Sequence, residues 1–394
     1  MRSTRGPFDV CIISQYWEPD INGDVTRLRR ALSAFASLGK SVVLIAGAPH
    51  YPSGAVVQKE LVSVEDSPGL RVVRLRMPSI PHSGLAARMI QYFWFCLGSI
   101  PLTVSYGRAP CVWAFSQRVF STYTALVHRL FWGSRLTSDI TDIWPEAMAN
   151  TGHADPGSLF FGLARLFALF AYRTSDRVTV LTSGQRRVLS SSYGVPGAKT
   201  MAVPNVSNPL PSGPANYPYT VLYYGNVGKN YDFGPLVDAA KGLAGSGVRF
   251  MVKGDGESLK EVLEESRGVP NLEFVGRRMA RSELEALIAG SGALVLPMAP
   301  ERIPDVSFPI KFVECLWSGK PMVYVGGGYP AELIGKNSCG IAVRNGDVDG
   351  LVAAIRSLAS DPQLSQRLAA NALRLAEEQF SEESLKTSLS AAFN

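Results

Sequence analysis

Short runs of unbroken apolar residues alternate along this chain with longer stretches whose apolar positions recur every three or four residues. DVCIIS (9–14), SVVLIAG (41–47), RVVRLRM (71–77), CVWAFS (111–116), SRLTSDITD (134–142) and RVTVLTS (177–183) are the runs of the first half. A continuous apolar run of this length predicts a strand buried on both faces. Between the first two, Leu28, Leu32 and Phe35 fall at helical spacing from about Val25 to Leu38, and Gly39 supplies a stop. A second helical pattern covers 158–173. Alternation of this kind predicts a parallel sheet with helices on both faces.

The pattern breaks at NVSNPLPSGPANYP (205–218), a linker rich in Pro, Gly, Ser and Asn. It then restarts with TVLYYGNVG (220–228), VRFMVKGDG (248–256), NLEFVG (271–276), ALVLPM (293–298) and PMVYVGGG (321–328), with helical segments between them. From about Val348 the chain is helical to its end. The expected fold class is α/β, with two Rossmann-like domains over 1–207 and 208–377. Ligands of such sheets bind at the carboxyl ends of the strands, in a cleft that the two domains face.

Composition narrows the function. At 394 residues the chain exceeds one ordinary core, and its 46% hydrophobic content is that of a packed globular protein. Charge is uneven. Residues 1–210 carry 21 Lys+Arg against 12 Asp+Glu, a net of +9, and residues 211–394 carry 18 against 21, a net of −3. A basic first half suggests an anionic neighbour, either a membrane surface or a phosphorylated substrate. Nucleic acid is not expected, because the arginines are scattered and no aromatic–basic platform is present. Cys11, Cys96, Cys111, Cys315 and Cys339 lie far apart with no CxxC spacing, so they predict reduced thiols in or near a core. Four scattered histidines offer no metal cluster. The N-terminus runs from a short polar tail into a strand, so no signal peptide is expected and the chain is placed in the cytoplasm. MIQYFWFCLGSIPLTV (89–104) is too short to span a bilayer and is interrupted by Gly98 and Pro101. It is either a buried or half-buried helix, or a helix resting in a membrane interface with Arg88 and Arg108 reaching toward phosphates.

Four stretches carry candidate chemistry. GNVGKN (225–230) is a glycine-containing turn between a strand and a helix, where backbone N–H groups approach a phosphate that Lys229 neutralises; the plain alternative is a tight turn with a solvated lysine. KGDGES (253–258), with Gly254, is a second turn of the same kind. In EPDINGDVTR (18–27), Gly23 either permits close approach of a ligand or belongs to a turn capped by Asn22. In SDITDIWPEA (138–147), Asp142 stands at the carboxyl end of a strand as a polar contact or base, while Asp139 is equally suited to a buried structural role. PIKFVECLWSGKP (309–321) predicts a short helix with Lys311 and Glu314 one turn apart at the edge of its apolar face. As a surface ion pair they contribute only about 0.2–0.5 kcal/mol. A lysine in a first helical turn opposes the helix dipole unless an anion sits there, and a glutamate one turn on suits two sugar hydroxyls.

These stretches together resemble family 4 glycosyltransferases of GT-B architecture, in the branch that builds bacterial polysaccharides. PIKFVECLWSGKP looks like the P-S-K-x-x-E-x-x-x-x-G-K-P segment of that family. SQYWEPDINGDVTRLRRAL, HYPSG (50–54), SDITDIWPEA, SDRVTVLTSGQRRVL, VPNVSN, GNVGKN, KGDGES and NLEFVGRRMARSEL are similar to further family segments in the same order. The resemblance implies that the second domain binds a nucleotide-diphosphate sugar and the first binds the acceptor, and that a final helix at about 378–394 packs back on the first domain. It implies diphosphate contacts from Gly225, Asn226, Lys229 and Lys311, a ribose contact from Glu314, and an approach to the diphosphate by Gly23. The sequence departs from the family pattern at Val306, where a first glutamate is usual, at Asn22–Gly23 for Gly-Gly, and at Thr141 for arginine.

The expectation is a retaining, metal-independent transferase without a cofactor, using UDP before GDP as the donor's nucleotide. Lys229 and Lys311 would stabilise the leaving diphosphate, and Asp142 would position the acceptor. That acceptor is a saccharide or a lipid-linked saccharide, with peripheral membrane contact through 88–108 at the inner face of the membrane. Two rivals are a GT-B nucleotide-sugar epimerase and a silent nucleotide-sugar-binding partner of another transferase.

Overall fold

The computed structural model describes residues 7–393 apart from 21, 52, 81–83, 116–118, 151, 153, 215, 217, 276–279 and 301–304. The first elements are β1 (Val10–Ser14), α1 (Gly23–Ser37), β2 (Val42–Gly47), β3 (Val62–Ser67), β4 (Leu70–Leu75), α2 (Gly84–Tyr106), β5 (Cys111–Phe115), α3 (Phe120–Trp132) and β6 (Arg135–Ile140). There follow α4 (Glu146–Ala149), α5 (Leu159–Thr174), β7 (Arg177–Val180), α6 (Ser183–Tyr193), β8 (Thr200–Ala202), β9 (Tyr219–Asn226), α7 (Gly234–Gly242), β10 (Val248–Asp255), α8 (Leu259–Glu265) and β11 (Leu272–Val275). The last are α9 (Arg281–Gly290), β12 (Ala293–Pro297), α10 (Ile310–Leu316), β13 (Met322–Val325), α11 (Tyr329–Asn337), β14 (Ile341–Val343), α12 (Val348–Ser360), α13 (Pro362–Gln379) and α14 (Glu382–Phe393).

Two compact units result. Unit 1 comprises Met1–Met148, His153–Val206 and Glu382–Asn394; unit 2 comprises Ala149–Gly152 and Ser207–Ser381. Unit 1 holds an eight-stranded sheet in the order β3-β4-β2-β1-β5-β6-β7-β8, parallel except where β3 runs against β4. Unit 2 holds a parallel six-stranded sheet, β11-β10-β9-β12-β13-β14. Both are Rossmann-like α/β sheets, as the alternation of runs predicts.

The apolar runs of the central strands are continuous because both faces of those strands are covered. In β1, Val10 and Ile12 join one core cluster and Cys11 and Ile13 the other; β2 and β5 divide in the same way. The first cluster packs α1 and α14 on the sheet, and the second packs α2 and α3. Phe393 of α14 meets Phe35 and Trp113 edge-on, each with ring centroids 5.2 Å apart. Arg135 and Arg177 donate to the last carbonyls of α14, at 2.6 Å to Phe393 O and 2.7 Å to Ala391 O. Cations on terminal carbonyls are favourable there, because those carbonyls lack helical partners. All five cysteines are buried and free.

The sequence reading overlooks β3, β8 and β14. β3 (VSVEDS) is half-exposed and charged, and reaches the sheet only through its tight turn to β4. β8 and β14 have three residues each, too few for a period. The apolar stretch at 89–104 lies inside α2, which continues through Pro101 and is half-buried. Among the described residues no helix is long and apolar enough to cross a membrane.

One buried ion pair crosses unit 1. Arg27 of α1 grips Asp139 of β6 with both ends of its guanidinium, Nε to Oδ2 and Nη2 to Oδ1, each at 2.9 Å. Thr179 Oγ1 of β7 donates to the same carboxylate at 2.6 Å. Arg27 Nη1 also holds Pro204 O and Asn205 Oδ1 at 3.1 Å. Asp139 thus takes the structural role of the two left open for it. Asp139→Ala would strand a buried guanidinium and should cost about 3–5 kcal/mol. Urea unfolding checks this: the double variant Arg27→Met/Asp139→Leu should lose less than the single, and a single-variant loss near zero would show that the pair fastens nothing.

Candidate functional site

The site in unit 2 begins with two strand ends that come unusually close. β9 and β10 pair in register so that Gly254 lies opposite Gly225, and Asp255 opposite Asn226. A Cβ on Gly254 would stand 1.7 Å from the Gly225 carbonyl oxygen, so only glycine allows this approach. Gly225 itself has φ +122°, a conformation that side chains rarely adopt.

Lys311 fills the space that a side chain at Gly225 would take. A Cβ there would lie 2.0 Å from Lys311 Cε and 2.3 Å from its Nζ. The lysine, on the first turn of α10, therefore lays its ammonium across the carboxyl end of β9. Its Nζ is 6.0 Å from the centre of the Tyr231 ring, within reach of a cation–π attraction. Glu314 follows one turn later, beside the Tyr224 hydroxyl. Burial, the Cys315 thiol and the Glu314 carboxylate together hold the Tyr224 phenol well above its ordinary pKa. Lys311 and Glu314 are both half-buried, and no ion pair joins them. The surface ion pair, the plain alternative for their spacing, does not form. α10 has seven residues, so its dipole is small, and the charge at this end comes from the lysine.

The turn after β9 places the remaining candidates. The Asn226 side chain lies between the two glycine turns: its Nδ2 is 2.6 Å from where a Gly228 Cβ would be, and its Oδ1 is 2.8 Å from a Gly256 Cβ. Lys229 is exposed, and its backbone N–H donates weakly to Glu257 Oε1 at 3.4 Å. With Tyr231, Asp232, Phe233, Ser258 and Glu261 it lines a cavity of about 430 Å³. Tyr231 borders that cavity and faces Lys311, so it stands between the two lysines. Sequence reasoning missed Tyr231 and Tyr224, because an aromatic residue beside a strand looks like core. Val306, where the family pattern has a glutamate, is wholly buried. Asp305 beside it has φ +61°, and its Oδ1 accepts the Tyr329 N–H at 2.6 Å, at the start of α11.

Two candidates lie in unit 1. Gly23 opens α1 behind Asn22, whose Oδ1 accepts the Val25 N–H at 2.9 Å, so the capped turn expected as the plain reading is present. A Cβ at Gly23 would meet nothing within 4 Å, which leaves the space beside it open. Asp142 is half-buried just beyond β6. Its segment is fixed by Gln185, whose Nε2 donates to Thr141 O at 2.7 Å while its Oε1 accepts the Leu181 and Thr182 N–H groups. A further polar group sits at the carboxyl ends of β1 and β2. Asp20 Oδ1 accepts the His50 and Tyr51 N–H groups at 2.9 Å each, and His50 stacks on Tyr16 with centroids 5.2 Å apart. Burial lowers the pKa of His50 and raises that of Asp20. Only the family resemblance of HYPSG pointed to this loop.

Comparisons with known proteins bear on the fold and on unit 2. Residues 211–374, within unit 2, match the family model described as glycosyl transferases group 1. No curated protein matches the chain in sequence. Among solved structures, a sucrose-phosphate synthase from Thermosynechococcus elongatus is similar at TM-score 0.75 and 16% identity, with 98% of each chain covered. Anabaena HepE in complex with UDP is similar at TM-score 0.68 and 14% identity, covering 97% of this chain and 98% of its own. The lipopolysaccharide outer core galactosyltransferase WaaB is similar at TM-score 0.68 and 16% identity, with 98% of each chain covered. Likeness at these identities shows the fold, which is GT-B.

Two glycine substitutions separate backbone need from open space. Gly254→Ala must push the β9 and β10 ends apart and should lower stability by roughly 2 kcal/mol or more, as overpacking against backbone does. Gly23→Ala, with nothing in its way, should change stability by no more than about 0.5 kcal/mol. Thermal unfolding of the two variants checks the contrast, and equal losses would contradict the close approach.

Proposed function

We propose that this glycosyltransferase of GT-B fold moves a sugar from a nucleotide-diphosphate donor, with UDP before GDP, to a saccharide or lipid-linked saccharide, retaining the anomeric configuration and using no metal ion. The observation that carries the reading is the Lys311 ammonium lying on Gly225, half-buried and without a carboxylate partner among the described residues. A cation in that state suits a ligand's negative charge. The family model supports nucleotide-sugar transfer in unit 2. Structures of Anabaena HepE with UDP and with UDP-glucose support the choice of UDP. The likeness to WaaB, a galactosyltransferase of the lipopolysaccharide outer core, supports a lipid-linked saccharide acceptor and the polysaccharide branch of family 4.

In this reading Lys311 and Lys229 bind the diphosphate, with backbone N–H groups of the Gly225–Asn226 turn and of Gly254. Glu314 takes the ribose hydroxyls. As the bond from the anomeric carbon to the phosphate oxygen breaks, negative charge grows on the diphosphate and the two ammonium groups stabilise it. The acceptor oxygen forms the new bond on the same face, and its proton passes to the departing phosphate. No protein base is then required. Asp142 orients the acceptor hydroxyl, and Gly23 gives the donor room. Contact with a membrane through 88–108 brings a lipid-linked acceptor within reach from the cytoplasmic side.

The test is thermal stabilisation by UDP, GDP, ADP and CMP, followed by donor turnover. A ligand that binds only the native state raises the midpoint by mass action, so one diphosphate should raise it. Glu314→Ala and Lys311→Met should diminish that rise, whereas Asp142→Asn should keep it and lose transfer. Lys311→Met should also lower kcat by roughly 10²–10³, the usual result of removing one donor to a developing anion. No shift with any nucleotide, or an equal shift in the Lys311 and Glu314 variants, would sink the site. A shift without transfer or donor hydrolysis would favour the silent binding partner.

A further inference from the structure

Helix α5 is built inside out for a free surface. Its inward side is made of Ala164, Ala168 and Ala171, with Phe161 and Tyr172, all buried. Its outer side carries Leu159, Leu163, Leu166 and Phe170, which are 79, 59, 62 and 55% exposed. These four fall at i, i+4, i+7 and i+11, one continuous stripe of a helix. A solvent-facing stripe of that kind is normally polar, so its large apolar residues need a partner phase.

Neighbouring helices extend the stripe into a face. Ile90, Phe93, Trp94 and Leu97 form a second exposed apolar row on α2, at i, i+3, i+4 and i+7. Leu130 and Phe131 are exposed at the end of α3. Rings join the rows: Phe93 meets Phe120 at 5.2 Å, Phe120 meets Phe167 at 5.3 Å, and Tyr123 stacks on Phe167 at 4.0 Å and on Phe170 at 6.0 Å. The face therefore runs from α2 across α3 to α5 within unit 1.

Charge selects what covers it. No aspartate or glutamate occurs between Asp66 and Asp139, a stretch that holds eight arginines and no lysine. Helices α2, α3 and α5 contain Arg88, Arg129, Arg165 and Arg173 and not one acid. Two of these arginines have partners outside the three helices: Arg129 faces Asp176 at 3.2 Å and Arg165 faces Glu146 at 3.5 Å. An apolar face whose own helices carry arginines and no acid, the nearest acids being paired with two of those arginines, is complementary to hydrocarbon bordered by anionic headgroups. A second copy of the chain would bring the same cationic border against itself, which like charges oppose. Arginine stems also lie along apolar surface while the guanidinium stays with phosphates.

We propose that the α2–α3–α5 face of unit 1 docks on a bilayer surface containing anionic lipid, with the α5 stripe, and not α2 alone, as its main inserting element. This docking extends the contact proposed for 88–108 and stands whether or not the chain transfers sugar.

The experiment is flotation of the full chain with phosphatidylcholine vesicles and with vesicles that also contain phosphatidylglycerol. The wild type should float with the anionic vesicles and much less with the neutral ones. Leu163→Glu and Leu166→Glu should each lower the bound-to-free ratio by roughly tenfold or more, since each removes a buried apolar side chain and adds a repelled charge. Leu263→Glu, at an exposed leucine of α8 in unit 2, should float as the wild type does. An unchanged thermal midpoint in all three variants shows that the fold is intact. A monomeric wild type that floats with neither vesicle overturns the proposal, as do α5 variants that float like the wild type. A wild-type dimer by light scattering that Leu163→Glu converts to monomer would assign the face to a second copy instead.

Discussion

Both sheets are covered on both faces, and that constraint decides where polar chemistry can sit. A strand whose neighbouring residues point into two different cores has no wet side. Polar groups are then either matched inside the protein or carried where the strands end. Arg27 and Asp139 show the first solution: a bidentate pair whose remaining donors and acceptor are met by Thr179, Pro204 and Asn205. Lys311 shows the second. It reaches the one place on β9 where the absence of a side chain leaves room, and that place is the carboxyl end of a central strand. Asn226, Lys229 and Tyr231 follow at once, because the chain must turn there to enter α7.

This constraint also explains what could be read from the sequence. Unbroken apolar runs mark strands buried on both faces, so the central strands of each sheet were legible and the wet or short ones, β3, β8 and β14, were not. Helices α3 and α6 escaped for another reason: both follow directly on a strand, and α3 has apolar residues around its whole circumference. The site divides in the same way. Lys311 and Glu314 were legible because charge in a short apolar helix is anomalous. Tyr224 and Tyr231 carry no such anomaly. Asp139 and Asp142, two acids in one segment, could not be ranked from spacing, and burial separates them: one is sealed beneath Arg27, the other half-open beyond the strand.

The outer face of α5 presents the opposite problem. Its sequence, LFFGLARLFALFAYRT, carries too many apolar residues for one buried stripe. A periodic reading finds a helix and cannot say which apolar residues face inward. Size decides it. Alanines allow α5 to lie close to its neighbours, and the larger side chains are left outside because the close approach has no room for them. Composition within a helix, small against large, is thus a signal separate from the usual contrast of apolar against polar.

Lys311 is best judged beside a second lysine nine residues on. Lys320 is almost wholly buried, and burial pulls its pKa below the ordinary lysine value. Its ammonium nonetheless has three acceptors, Gly213 O at 2.6 Å and Ala289 O and Ser291 O at 2.7 Å. An ammonium has three donors, and all three are used. The Ala289 and Ser291 carbonyls lie at the end of α9, where helical partners run out. Lys320 is therefore complete as it stands: a fastener between the start of unit 2, the end of α9 and β12. Lys311 is half-buried, has no carboxylate beside it among the described residues and lies over a glycine that makes no demand on it. Burying a cation is costly unless acceptors surround it, and Lys311 keeps part of its side chain open to solvent. Of two lysines in one segment, Lys320 is satisfied within the protein, and Lys311 keeps donors that solvent or a bound anion can meet.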